Sequence, residues 1–327
     1  MERYDVGVDI GGTNTVIGAF GEDGGLRAVR SFRTIAPHLP RMTNAPTGYF
    51  ELLTREIRSL LRELGSGHPP AAVGMGVPGK VDPDLGMALG AANLGWTDVP
   101  FAAEMSRRLE APVFIDNDVR MYAWGEAAAG AGAGCRNLIC VTLGTGLAAG
   151  IVVDGRLVRG STAFAGEIGH DVVDGEQALC ACGRRGCLET IASATGIARL
   201  AEETLLAGEG QALRRLAERR KPTAHDVTLA CREGDPAALA VYRRVGETLG
   251  RRLASAVFLL NPEAVVIGGG AARAGRYLLD PIRETIEAHY GPYERNAPQV
   301  RLAALDDRAG LYGARLFARE RQGRSAC

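Results

Sequence analysis

The feature that most constrains this chain is a pattern that occurs twice. The apolar run Y-D-V-G-V-D-I, starting at Tyr4, leads into the turn G-G-T-N (Gly11 to Asn14), a second strand over Thr15 to Phe20, the turn G-E-D-G-G and a third strand over Leu26 to Arg33. Much later N-L-I-C-V-T-L (Asn137 to Leu143) leads into the turn Gly144 to Gly146, a strand over Leu147 to Val153, the hairpin turn Asp154-Gly155 and a third strand from Arg156. Short apolar runs punctuated by glycine turns read as β-meanders. Each half then returns, after helical residues, to an apolar strand ending in glycines: A-A-V-G-M-G-V (Ala71 to Val77) and A-V-V-I-G-G-G (Ala264 to Gly270). The recurrence predicts a duplicated α/β unit.

Length agrees with duplication. Single cores stop growing near about 250–300 residues, and 327 residues with 46% hydrophobic side chains supply material for two. Within the first half, Ile57, Leu60, Leu61 and Leu64 form one apolar helix face. An amphipathic helix is expected near 101–109, a strand over Pro112 to Asp118, and an alanine-rich helix from about Val119. The domain reading is 1–118 plus a C-terminal helix at about 308–327 for the smaller domain, and 119–307 for the larger.

The 38 basic and 38 acidic side chains cancel, so no net field draws the chain to nucleic acid or an anionic membrane. The N-terminus has no apolar stretch of signal-peptide length, and Leu253 to Leu260 is too short to span a bilayer. A cytoplasmic protein is expected. Seven cysteines, an odd number, in a reducing compartment argue against a disulfide framework.

Backbone N–H groups in tight glycine turns make anion nests. Either turn alone reads first as a plain hairpin; two at matching places of a repeat favour phosphate. D-I-G-G-T-N is the better of the pair: Asp9 ends a strand and can hold magnesium through water, while Gly11, Gly12, Thr13 and Asn14 offer N–H, hydroxyl and amide groups to phosphate oxygens. T-L-G-T-G supplies Thr142, Gly144, Thr145 and Gly146 in the same role. Gly74 to Val81 has P-loop glycine spacing, but Val81 stands where magnesium needs a hydroxyl and Pro78 removes a donor. Gly268, Gly269 and Gly270 miss the dinucleotide fingerprint, since Arg273 stands at the third glycine's place; they permit close approach of a nucleotide to a strand end.

These two glycine turns, with D-N-D at Asp116 to Asp118 between them, resemble the ROK family of repressors, open reading frames and kinases, and the resemblance runs through nearly the whole chain. It implies the fold shared by actin, hexokinase and heat-shock chaperone ATPases: two RNase H-like α/β domains with a cleft between them. A family signature, G-E-x-G-H followed by C-x-C-G-x-x-G-C-x-E, stands here as Gly166 to His170 and Cys180 to Glu189. Three thiolates and an imidazole, from Cys180, Cys182, Cys187 and His170, suit a closed tetrahedral zinc site. With no open coordination position the zinc is structural, and it holds the loop that carries Glu167, His170 and Glu189, carboxylates and an imidazole suited to sugar hydroxyls. Arg184 and Arg185 beside the thiols favour thiolate. Cys135, Cys140, Cys231 and Cys327 read as packing or terminal residues.

Spacing alone leaves Asp118 open between two roles, the N-cap of the following helix and a catalytic carboxylate. The resemblance implies that Asp118 is the general base for phosphoryl transfer to an alcohol and that Asn117 orients sugar hydroxyls; it assigns Asp116 no role. It further implies that Gly79, in G-V-P-G, and Asn93, in N-L-G-W, line the sugar pocket. The chain departs from the family pattern at Leu147 to Gly150, where more glycine is usual, and at Val119 to Tyr122, where small residues are usual.

The expected activity is an ATP-dependent hexose kinase, glucose first, acting on the 6-hydroxyl, with magnesium and structural zinc. N-acetylglucosamine, N-acetylmannosamine, mannose and fructose are alternative substrates. A sugar-responsive repressor of the family would carry a helix-turn-helix domain before the first strand, which here begins at about Tyr4; an ATPase without a sugar substrate is a third reading. The resemblance also implies a dimer or tetramer, while the balanced charge and the start of the first strand at about Tyr4 leave no nucleic acid partner expected, and the short apolar runs no membrane partner.

Overall fold

The computed structural model describes residues 3–34, 46–91, 94–218, 220–291, 293 and 297–325. Asn93 and Cys327 lie outside them. In chain order the elements are β1 (Asp5–Ile10), β2 (Asn14–Phe20), β3 (Leu26–Arg33), α1 (Thr47–Glu63), β4 (Val73–Val77), β5 (Lys80–Asp82), β6 (Met87–Ala91), β7 (Trp96–Val99), α2 (Phe101–Leu109), β8 (Val113–Asn117) and α3 (Asp118–Ala129). There follow β9 (Leu138–Leu143), β10 (Leu147–Val153), β11 (Arg156–Leu157), α4 (Glu189–Ala192), α5 (Ala194–Leu206), α6 (Gln211–Ala217), α7 (Ala224–Arg232), α8 (Pro236–Leu260), β12 (Ala264–Gly268), α9 (Arg276–Tyr290), β13 (Gln299–Leu302) and α10 (Ala309–Ser325).

Two compact units result. One comprises the chain up to Gly130, the short segment Arg159–Phe164, and the chain from Asp307 onward; the other comprises Ala131–Val158 and Ala165–Asp306. The first unit's main sheet has the order β3-β2-β1-β4-β8 and the second's has β11-β10-β9-β12-β13. In both, the meander strands pair antiparallel and the last two join in parallel. The duplication read from the sequence is therefore a duplication of topology.

Each unit has its own core. In the first, Val6, Val8 and Ile10 of β1 alternate onto the face that meets Tyr49, Leu53 and Ile57 of α1. The period of two on the strand meets the period of three to four on the helix. Burying such side chains contributes about 1.5–3 kcal/mol each. In the second, the strand residues Val141, Val265 and Ile267 pack with Leu249, Leu253 and Val257 of α8. Helix α8 begins on Asp235, whose carboxylate accepts from Ala237 N and Ala238 N, has Pro236 in its first turn, and ends at left-handed Asn261.

Two features differ from expectation. The helix after Asp118, assigned to the larger domain on sequence, belongs to the first unit, because α3 packs on α10 and β4. The stretch between Val77 and the helix near 101–109, for which the sequence predicts no strand, forms the small antiparallel sheet β5-β6-β7. Its strands run only three to five residues, too short for an alternation to mark them. Trp96 of β7 is a core residue, with its ring centroid 5.3 Å from Tyr49 and 5.5 Å from Phe101.

Candidate active site

At the end of β1 the chain makes a four-residue turn into β2. Gly11 N donates to Asn14 O at 2.9 Å, which closes the turn and leaves Gly12, Thr13 and Asn14 exposed. The turn is held from beneath by residues the sequence reading did not single out. Thr34 N donates to Thr13 O at 2.9 Å and Thr34 Oγ1 donates to Gly11 O at 2.7 Å. Thr34 Oγ1 also lies 2.9 Å from Thr15 Oγ1, which in turn lies 2.9 Å from the Tyr49 hydroxyl. All three side chains are buried. Burial, with a smaller push from the negative charge of Asp9, raises the Tyr49 phenol above its ordinary range, so it serves as a neutral hydroxyl.

Asp9 itself is pushed up to about 7, chiefly by burial and then by the negative charges of Asp118 and Asp307. A carboxylate held this way is relieved by a cation, which makes the site fit a magnesium ion on chemical grounds.

Asn117 and Asp118 stand where β8 gives way to α3. Asn117, not Asp118, is the N-cap: its Oδ1 accepts from Arg120 N at 3.1 Å, and its φ and ψ of −63° and 143° are extended. Asp118 is the first helical residue, so the capping alternative for it falls. Its Oδ1 accepts from Val119 N at 3.0 Å and from Asn117 Nδ2 at 2.9 Å, while that Nδ2 also donates to Gly79 O at 3.0 Å. The amide of Asn117 thus locks the half-buried carboxylate of Asp118 to the backbone of Gly79. The P-loop look-alike is absorbed into β4 and β5, and no helix follows it.

In the second unit the strand ends of β9 and β12 gather Thr142, Gly144, Thr145, Gly146 and Gly268 to Gly270. Thr142 pairs with Gly268 across the parallel ladder. Gly144 N donates to Gly146 O at 3.0 Å, and the start of α5 holds the turn: Ala194 N donates to Gly144 O and Thr195 Oγ1 to Thr145 O, both at 2.8 Å. A Cβ on Gly146 would lie 2.7 Å from Glu189 Oε2. Glycine is needed there so that Glu189 can accept from Leu147 N at 2.9 Å. The expected phosphate turn and one expected sugar ligand are therefore one connected piece.

The segment Gly166 to His170 lies along β10. Ala149 N donates to Gly166 O at 2.8 Å, and Gly166, with φ of 97°, leaves no room for a Cβ, which would meet Ala149 O at 1.8 Å. Beyond it, His170, Cys180, Cys182 and Cys187 converge, with one ligand atom from each lying within 4.8 Å of the others. Cys180 Sγ is 3.8 Å from His170 Nδ1, and Cys182 Sγ is 3.6 Å from Cys187 Sγ. A tetrahedron with Zn–S of about 2.3 Å and Zn–N of about 2.0–2.1 Å has edges of about 3.5–3.8 Å, so the donor set fits structural zinc. Burial pushes the Cys180 thiol up to about 12 and raises Cys187, whereas the main-chain N–H of Arg184 brings exposed Cys182 down to about 6. Arg184 reaches back to His170 O at 2.7 Å, but Arg185 turns to Gln177 O at 2.9 Å. Cys180 Sγ also donates to Glu189 Oε1 at 3.6 Å, joining the cluster to the carboxylate beside the glycine turn.

A further anchor of this loop was missed on sequence. Glu176 accepts from Gln177 N and Ala178 N, both at 2.9 Å, and pairs with Arg199 at 3.1 Å and Arg244 at 3.3 Å, tying the loop to α5 and α8. The remaining described cysteines, Cys135, Cys140 and Cys231, form no disulfide.

Two five-stranded sheets of like order and sense, each with a glycine turn after its first strand, define the duplicated α/β fold of the actin, hexokinase and chaperone ATPases. A sequence profile of the ROK family matches residues 5–321, and the chain belongs to that family. It is 36% identical to a glucokinase of Halalkalibacterium halodurans over 98% of this chain and 96% of that one. A ROK family glucokinase of Streptomyces griseus, solved in complex with glucose and AMPPNP, superposes with a TM-score of 0.83 at 33% identity, covering 97% of this chain and 99% of the other. A xylose repressor of Caldicellulosiruptor bescii is 32% identical over 74% of this chain and 60% of its own length. No helix among the described residues is long and apolar enough to cross a membrane.

Proposed function

We propose that the protein is an ATP-dependent glucokinase in which Asp118 is the general base. The observation that carries this reading is the fixed carboxylate of Asp118, held by Val119 N and the Asn117 amide, in the same unit as Asp9, whose carboxyl feels its charge. Phosphoryl transfer to an alcohol needs a positioned carboxylate for the hydroxyl proton and a charge-neutralised phosphate, and little covalent chemistry besides. A sugar-sensing repressor binds its sugar without transferring a phosphoryl group, and so needs no general base.

The residue roles follow. Asp118 takes the proton of the sugar 6-hydroxyl, and Asn117 keeps its carboxylate aimed through the bond to Gly79 O. Gly11 to Asn14 and Thr142 to Gly146, with Gly268 to Gly270, receive the nucleotide phosphates through N–H and hydroxyl groups. Asp9 would hold magnesium, which neutralises charge on the phosphates. Glu167, His170 and Glu189 bind sugar hydroxyls; His170 turns Nδ1 to the thiols, which leaves Nε2 for the sugar. Cys180, Cys182, Cys187 and His170 would hold zinc, whose part is to stiffen this loop.

The test is ADP formation measured with glucose, mannose, fructose, N-acetylglucosamine and N-acetylmannosamine, compared as kcat/KM. Glucose should lead. ADP formation independent of every sugar would defeat the kinase reading, and sequence-specific retention of duplex DNA would move the protein to the repressors.

A further inference from the structure

Asp116, to which the sequence reading gave no role, is the centre of a buried charge cluster beside the proposed base. It lies one residue before the end of β8 and is fully buried. Its Oδ1 accepts from Arg120 Nε and from Asn117 N, and its Oδ2 accepts from Arg159 Nε, each at 2.7 Å. Arg120, in the first turn of α3, is 3% exposed; its Nη1 donates to Ala163 O at 3.2 Å. Its Nη2 is buried without a hydrogen-bond partner among the described residues. Arg159 comes from the short segment Arg159–Phe164 of the same unit and lies over the Phe317 ring at 5.4 Å.

Net stabilisation is a weak reason for this arrangement. Ions withdrawn from water recover their hydration only when every donor and acceptor is matched, and apolar residues often fill such a corner as well or better. Here one guanidinium nitrogen, Arg120 Nη2 with its two N–H groups, is left over among the described residues. What the cluster does accomplish is geometric. Asn117 is gripped at its main-chain N by Asp116 and at its side-chain oxygen by the main-chain N of Arg120. Its remaining group, Nδ2, is the one that orients Asp118.

We propose that Asp116, Arg120 and Arg159 are positioning residues for phosphoryl transfer: the two guanidiniums hold the Asp116 carboxylate, which sets Asn117 and through it the carboxylate of Asp118. This rests on the reading of Asp118 as the base. Arg159 is the arm to vary, because it is 31% exposed and its loss leaves the Asp116 to Arg120 pair intact.

The experiment compares the full-length parent with Arg159→Gln, Arg159→Lys and Asp118→Asn, each assayed well below its own melting temperature. Loss of aim should lower kcat of Arg159→Gln about tenfold while KM for glucose and for ATP stays within about threefold. Arg159→Lys, which keeps a cation on Asp116, should recover kcat to within about threefold of the parent. A kcat of Arg159→Gln within twofold of the parent, or equal losses in the Gln and Lys variants, would overturn the proposal. Asp118→Asn separates the two readings: turnover retained in that variant removes the base itself, whereas a silent Asp118→Asn beside a normal Arg159→Gln removes only the positioning role.

Discussion

Asp9 and Thr142 occupy the same place in the two halves of the molecule. Each is the next-to-last residue of a six-residue first strand. Asp9 pairs with Gly76 on its parallel side and Val16 on its antiparallel side; Thr142 pairs with Gly268 and Ala148. One half puts a carboxylate with a raised pKa at that place and the other a neutral hydroxyl. The parallel edge strands diverge as well. β8 ends in Asn117 and feeds Asp118 into a helix, whereas β13, Gln299–Leu302, carries no acid. Among the described residues the zinc-type cluster appears only after β11. The comparison teaches that the duplication supplies two equivalent scaffolds with different side chains at matching places: one carries the Asp9 and Asp118 carboxylates at the ends of β1 and β8, the other a neutral hydroxyl at Thr142 and the cysteine and histidine cluster.

The contrast is broken most severely at Asp118. Asp118→Ala should reduce kcat by about a thousandfold or more, as expected for removal of a general base with loss of aim, with an unchanged circular dichroism spectrum. Next comes the matched pair. Asp9→Asn should lower kcat/KM for magnesium-ATP by about a hundredfold, whereas Thr142→Val removes one neutral hydroxyl contact and should cost about fivefold. Equal losses at the two positions would erase the asymmetry between the halves.

The same residue sharpens the comparison through pH. The folded value of Asp9, about 7, lies above its ordinary value of 3.8, so the native state binds this proton more tightly than the unfolded chain. The stability contributed by protonated Asp9 is fully present below pH 3.8 and is lost as pH rises through 7. Parent minus Asp9→Asn, followed by urea denaturation without nucleotide, should therefore fall steadily across that window. Thr142→Val should show no such trend. The smallest expected effect on kcat itself belongs to the loop of the cysteine cluster: Cys182→Ser should lose zinc by elemental analysis and raise the glucose KM about tenfold, with kcat little changed.

Much of this was legible beforehand because it is written locally. The strands β1, β2, β3, β9 and β10 follow from apolar runs and glycine punctuation, and the three thiols and the imidazole from the family signature that the sequence resembles. The N-cap was misplaced as an alternative by one residue, since D-N-D offers three capping side chains and only backbone angles choose Asn117. Asp116 stayed silent because its partners, Arg120 and Arg159, meet it only once the segment Arg159–Phe164 has joined the first unit. The hydroxyl chain Thr15, Thr34 and Tyr49 was hidden likewise: three common residues on β2, just after β3 and on α1, with nothing in sequence to link them. The place of Glu189 against Gly146 is a close approach that only folded coordinates reveal.

The most direct test of the account is calorimetric glucose binding to Asp118→Ala, set beside its sugar-dependent ADP production. Glucose bound within about threefold of the parent affinity, with turnover abolished, is the expected result for loss of a group needed mainly in the transition state. Turnover within tenfold of the parent would place the proton acceptor elsewhere and contradict the account.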